Sequence, residues 1–223
     1  MGLINLFIMK KILIVICFLF TASYGAAIAS TNPVTVMILG DSLSTSYGMP
    51  LQAGWVNLLQ QRLQAHSPAY QVINVSISGE TTLGGRNRIN QALQAHNPDI
   101  VMVGLGGNDG LQGSSIKSIY ENLEAIITSC LQNDAAVLLL GMQIPPNYGI
   151  SYTQKFRDIY PQLAKEFQVN LVPFLLDGFG ENREYFQSDG IHPNIRAQEI
   201  IVENVWPVLY PMLHPEQVAA SVD

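Results

Sequence analysis

The stretch Ile100-Val101-Met102-Val103-Gly104-Leu105 is followed at once by Gly106-Gly107-Asn108-Asp109-Gly110. Six nearly continuous apolar residues, rich in β-branched side chains, suit a strand buried on both faces of a parallel sheet. The glycine-rich polar cluster behind it suits a loop at the strand's carboxyl end. The same pairing recurs outward in both directions. Short apolar runs occupy 35–39, 71–76, 136–140 and 171–174. Segments with helical period lie at 54–65, 83–95, 114–132, 152–168 and 193–209, and the last opens with Pro193 at a first-turn position, where a missing N–H costs nothing. Strand–helix alternation of this kind predicts a three-layer α/β fold with right-handed crossovers.

Composition narrows the class. Of 223 residues, 48% are hydrophobic and 13% charged, against roughly 25% charged in an average soluble domain. Disorder needs the opposite balance. With net charge −6 and no run of Lys or Arg, no nucleic-acid partner is expected. Two cysteines, Cys17 and Cys130, exclude a disulfide scaffold.

The N-terminus has its own logic. Lys10 and Lys11 precede the apolar run 12–20, and small residues end in Ala27-Ile28-Ala29. That layout predicts a secretory signal peptide over 1–29, with Met9 as an alternative start. The run is short for a membrane span of about 20 apolar residues; an uncleaved anchor is the other reading. Cleavage predicts a periplasmic or secreted domain over 30–223 with no stable membrane insertion. It also leaves Cys130 alone, in an apolar helical stretch where an inert buried thiol is expected. No linker divides this domain, and a monomer is expected.

Ligands of open parallel sheets bind beyond the strands' carboxyl ends, and the polar clusters fall there. They are Gly40-Asp41-Ser42-Leu43-Ser44, Ser76-Ile77-Ser78-Gly79-Glu80-Thr81, 106–110, 141–149, and the late loop Ser188-Asp189-Gly190-Ile191-His192-Pro193. A serine nucleophile needs a base, usually a histidine oriented by a carboxylate. Of the four histidines only His192 has a nearby acid in a loop setting: Asp189, three residues earlier. That spacing allows the carboxylate to meet Nδ1 and leaves Nε2 for Ser42. Gly79 and the Ser42 amide offer backbone donors for an oxyanion, and Asn108 offers a side-chain amide. His66 and His96 close helices within an echoed Leu-Gln-Ala-His motif, where a positive ring suits the helix dipole; they and His214 read as structural. No second His or Cys has ligand spacing to His192, so no metal is expected, and no phosphate-cradling glycine pattern follows the first strand, so no cofactor is expected.

Each motif alone is compatible with a turn. Together, in order, the blocks around Ser42, Gly79, Asn108 and the Asp189/His192 pair resemble the four blocks of the SGNH (GDSL) hydrolase family, over about residues 34–209. The segments 146–149 and 159–167 are similar to exported multifunctional thioesterase/lysophospholipase members of that family. The resemblance implies a flavodoxin-like five-stranded parallel sheet of order 2-1-3-4-5. It implies Ser42 as nucleophile, His192 as base and then acid, and Asp189 as its orienter. It implies an oxyanion hole of Ser42, Gly79 and Asn108. Asp109 reads as a turn-former. The implied substrates are small acyl esters and thioesters: lysophospholipids, acyl-CoA-type thioesters and aryl esters. Residues 144–150 would wall the acyl groove, with Ile144, Pro145, Tyr148 and Ile150 in contact with substrate. A carbohydrate acetyl esterase with the same catalytic residues, and a non-catalytic binding module, are the competing readings.

Overall fold

The computed structural model describes residues 33–67 and 69–214; the expected signal peptide lies outside them. Five parallel strands form one sheet: β1 (Val34–Gly40), β2 (Tyr70–Asn74), β3 (Ile100–Gly104), β4 (Ala136–Leu140) and β5 (Asn170–Val172), in the order β2-β1-β3-β4-β5. The β1–β3 register aligns Val36 with Ile100 and Gly40 with Gly104. Central strands are sealed on both faces, so their side chains are apolar throughout: Val36 to Leu39 and Val101 to Val103 have no exposed surface.

The helices are α1 (Trp55–His66), α2 (Thr82–His96), the short α3 (Gly107–Leu111), α4 (Ile116–Gln132), α5 (Ile150–Phe167) and α6 (Ile195–Leu213). On one face α2 packs on α4 and α4 on α5; α1 packs on α6 on the other. Helix α4 shows why. Ile119, Leu123, Ile126, Ile127 and Cys130 recur at helical spacing and are all buried. Ser115 caps it by accepting the Ser118 N–H at 3.0 Å.

Expected and observed elements agree in kind and order. Two details differ. Pro193 is not in the helical first turn: Asn194 caps α6 by accepting from the Arg196 N–H (3.0 Å), and Pro193 instead pairs antiparallel with Phe186. An asparagine side chain outcompetes the proline for the cap because it supplies an acceptor to the helix's orphan donors. The glycine-rich run after β3 folds into α3 rather than an open turn.

The topology brings the β1, β2, β3, β4 and β5 exits to one edge. It also puts the first turn of every crossover helix there, because the helices run back against the strands. Among the described residues no helix is long and apolar enough to cross a membrane.

Candidate active site

β1 delivers its final Gly40 into a tight turn at Asp41-Ser42. Asp41 is buried, and its Oδ1 accepts the Leu43 N–H at 3.0 Å while its carbonyl accepts Ser44 N–H at 3.0 Å. Trp55 Nε1 clamps the same turn through the Leu43 carbonyl at 3.0 Å. These bonds hold Ser42, itself only 9% exposed, with its hydroxyl toward the late loop.

That loop is built as a small hairpin. Phe186 pairs with Pro193, the Gln187 N–H donates to the His192 carbonyl (2.8 Å), and Gly190 turns the chain at φ +71°. The left-handed turn favours glycine and folds Asp189 under His192. Asp189 Oδ1 accepts the N–H of Ile191 (2.9 Å) and of His192 (3.0 Å). Its Oδ2 lies 2.7 Å from His192 Nδ1, and His192 Nε2 lies 2.9 Å from Ser42 Oγ. Partial burial opposes ionisation of Asp189, but the two backbone N–H groups and the imidazole outweigh it and hold the carboxyl at about 2. Tyr47 covers the outer face of the imidazole, ring centres 4.3 Å apart. Gln187 ties it to the hairpin by donating to the Tyr47 carbonyl at 2.7 Å.

The expected oxyanion donors converge from three strands. The Ser42 and Gly79 N–H groups make no hydrogen bond within the described residues. Gly79 sits at φ +79°, a conformation that penalises any side chain. Asn108 Nδ2 donates to the Glu80 carbonyl (2.8 Å) and to Asp41 Oδ2 (3.2 Å). Burial pushes the Asp41 carboxyl up to about 6, against the Leu43 N–H and the His192 charge, which pull the other way.

Asp109 does more than shape a turn. Buried on α3, it accepts from Thr82 N (2.9 Å) and Thr82 Oγ1 (2.6 Å) at the start of α2. Asn122 donates to the same hydroxyl at 3.1 Å, and Arg86 donates to Asn122 at 3.2 Å. This chain locks the helix that carries Asn108 to the helix that follows Gly79. Nothing in the spacing of Thr82, Asp109 and Asn122 foretells it, and the same holds for Tyr47.

A groove of about 600 Å³ opens beside Ser42 and His192. Leu111, Met142, Ile144, Pro145, Phe174 and Leu176 supply apolar lining. Of the four residues expected to touch the acyl chain, Ile144 and Pro145 line this groove. Tyr148 and Ile150 do not: they line a separate shallow depression with Gly113, Ile116 and Lys155. Tyr148 is turned away by its own hydroxyl, which donates to the Leu111 carbonyl at 2.9 Å, and Ile150 begins α5 largely exposed.

The other reactive candidates are absorbed by structure. His66 packs against Trp206 (5.0 Å) and His214 meets the Tyr70 hydroxyl through Nε2 (3.1 Å). Burial pushes the Cys130 thiol up to about 12. Among the described residues no group of three or more His, Cys, Asp or Glu side chains is placed to hold a metal ion.

A parallel sheet of order 2-1-3-4-5, with a serine at the end of its first strand hydrogen-bonded in series to a histidine and an aspartate of one late loop, is the arrangement of the SGNH hydrolases. The chain belongs to the GDSL-like lipase/acylhydrolase family, whose model matches residues 38–200. It is 42% identical to the esterase TesA of Pseudomonas aeruginosa over 179 residues, 80% of this chain and 89% of the relative. It is 39% identical to thioesterase 1/protease 1/lysophospholipase L1 of Escherichia coli strain K12, over 88% of this chain and 91% of the relative. Among solved structures, the psychrotrophic esterase EstA from Pseudoalteromonas sp., inhibited by monoethylphosphonate, superposes with a TM-score of 0.77 at 34% identity, over 81% of this chain and 98% of that one.

Proposed function

We propose that the protein hydrolyses acyl esters and thioesters, with Ser42 as nucleophile. The observation that carries this is the continuous Ser42 Oγ–His192 Nε2–His192 Nδ1–Asp189 Oδ2 relay, 2.9 Å and 2.7 Å at its two links. His192 takes the Ser42 proton as Oγ attacks the acyl carbonyl. Negative charge on the carbonyl oxygen is met by the Ser42 and Gly79 N–H groups and the Asn108 amide. Collapse breaks the bond to the alcohol or thiol, which leaves with the proton from His192. Water, deprotonated by the same imidazole, then attacks the acyl-serine; collapse breaks the bond to Ser42 Oγ, which takes back the proton from His192, and releases the carboxylic acid. Asp189, ionised well below neutrality, holds the tautomer and stabilises the imidazolium.

The apolar groove supports a fatty acyl group. Each methylene it removes from water is worth about 0.8 kcal/mol. A chain six carbons longer than acetyl therefore gains several kcal/mol there, which is enough to decide preference. The names of the relatives, esterase and thioesterase/lysophospholipase, point to the same substrates: lysophospholipids and other small acyl esters and thioesters. Residues 1–29 would export the protein, which places lysophospholipids and external esters within its reach rather than cytosolic acyl-CoA.

Hydrolysis of p-nitrophenyl esters from acetyl to palmitoyl, run beside Ser42→Ala, tests this. Activity rising beyond butyryl and absent in the variant is expected. A maximum at acetyl would favour carbohydrate deacetylation instead. No turnover by folded wild-type protein would remove the reading.

A further inference from the structure

Among the described residues, nine large apolar side chains stand well exposed, and their distribution is lopsided. Leu51, Ile77, Leu83, Ile150, Ile191 and Ile195 all lie on loops or helix first turns at the carboxyl edge of the sheet, between 49% and 72% exposed. Tyr47 and Tyr148 lie at the same edge. Only Leu131, in the last turn of α4, is at the opposite one.

Charge is distributed the other way. Across the four exits 41–54, 75–83, 105–116 and 141–153 the acidic and basic residues are Asp41, Glu80 and Asp109. Asp41 and Asp109 are buried. Glu80 is paired with Arg88 at 2.5 Å, its side chain 11% exposed. These four loops present no free charge of their own; beside them Lys117 pairs with Glu121 and Arg157 with Asp158, Lys155 lies near Ile150, and Arg157 and Glu181 both line the groove. The fifth segment, 173–195, carries both signs, with Arg183 among Asp177, Glu181 and Glu184.

A soluble protein seldom gathers its exposed apolar side chains on one face without a partner for that face. We propose that the catalytic edge docks on a zwitterionic lipid surface, a bilayer or micelle of phosphocholine- or phosphoethanolamine-type lipids, with the groove mouth against it. Single aliphatic side chains and tyrosines on a rim whose few charges are of both signs are the kind of group that enters the headgroup–acyl boundary. The polybasic cluster that would select an anionic leaflet is missing from these segments, and the net charge of −6 opposes one. Of these exposed side chains Ile191 also lines the groove that holds Ser42 and His192, so docking of this edge sets the groove mouth against the lipid. This step rests on the reading of the groove as an acyl site.

The test compares wild type with the variant L51E/L83E/I195E, and with L131E as a control at the far edge. All are isolated as the cell processes them, so their N-termini are identical. Co-sedimentation with phosphatidylcholine vesicles is expected to fall about tenfold in the triple variant and to be unchanged in L131E. Hydrolysis of micellar lysophosphatidylcholine is expected to fall in parallel, while hydrolysis of dissolved p-nitrophenyl butyrate is retained, which also shows the variant is folded. Wild-type protein that ignores these vesicles, prefers phosphatidylglycerol vesicles, or is matched in binding by the triple variant overturns the proposal. So does light scattering that shows the face joining two copies of the chain in place of lipid. Vesicle binding lost in the variant, with no ester cleaved by either protein, would instead overturn the hydrolase reading and leave the docking face standing.

Discussion

Asn108 gives one amide proton to the Asp41 carboxylate and the other to the Glu80 carbonyl. Both protons of an expected oxyanion donor are thus already engaged. The Asp41 bond is the longer, 3.2 Å against 2.8 Å, and is the one an acyl oxyanion would share or replace. Asp41 is therefore a positioning residue: it aims the amide toward the turn that carries Ser42.

Stability should report on Asp41 with a defined sign. Burial raises its carboxyl to about 6 from an ordinary 3.8. A carboxyl raised by folding contributes stability that is complete below pH 3.8 and lost as pH rises through 6. Asp41→Asn removes that loss. Urea unfolding at pH 4 and pH 7.5 should show the variant gaining on wild type by about 2 kcal/mol between the two. Its kcat should fall, because the amide of Asn108 loses an anchor. A pH-independent difference would assign the strain elsewhere.

Asp189 behaves oppositely. Its carboxyl is held at about 2, so its contribution is present above pH 3.8 and lost as pH falls through 2. The acid limb of kcat/KM should thus owe nothing to Asp189. Asp189→Asn should lower kcat by on the order of 10⁴ with KM little changed, since the amide favours the wrong imidazole tautomer. A pH–rate profile of both proteins checks both statements.

The oxyanion donors should be separable from the nucleophile. Asn108→Ala should lower kcat by on the order of 10²–10³. Gly79→Ala meets no atom within 4 Å, so its cost comes from φ +79° alone, about 1–2 kcal/mol. It should show as reduced stability together with reduced kcat. Unaltered kcat in both variants would move the oxyanion away from this corner.

Alkylphosphonate esters should inactivate the protein by adding a single phosphonyl group to Ser42. Peptide mass spectrometry should find Cys130 unmodified, since its thiol is buried and pushed to about 12. Modification of Cys130 with activity retained would contradict the assignment.

The chain Asp109–Thr82–Asn122 should be costly to break. Thr82→Val removes the hydroxyl that Asp109 accepts at 2.6 Å and strands part of a buried carboxylate. A loss of about 2–4 kcal/mol in urea unfolding is expected, with the apolar volume almost unchanged. A loss under 1 kcal/mol would mean the network is not needed to hold α2 to α3.

The amino-acid sequence by itself determined the class of fold, the strands and helices to within a few residues, and the candidate residues for the chemistry. Strands buried on both faces must be apolar along their whole length, and helices packed on one face must repeat every three to four residues, so both leave a periodic record. The Asp189–His192 contact is legible for the same reason: three residues and one glycine turn are local geometry. Tyr47 over His192, Asp41 under Asn108, Thr82 on Asp109, and the parting of Tyr148 and Ile150 from Ile144 and Pro145 are different. Each joins segments tens of residues apart, or depends on which way one side chain turns to satisfy a carbonyl. Only the tertiary structure decided them, because a hydrogen bond is won by whichever donor the packing brings within about 3 Å, and packing is a property of the whole chain.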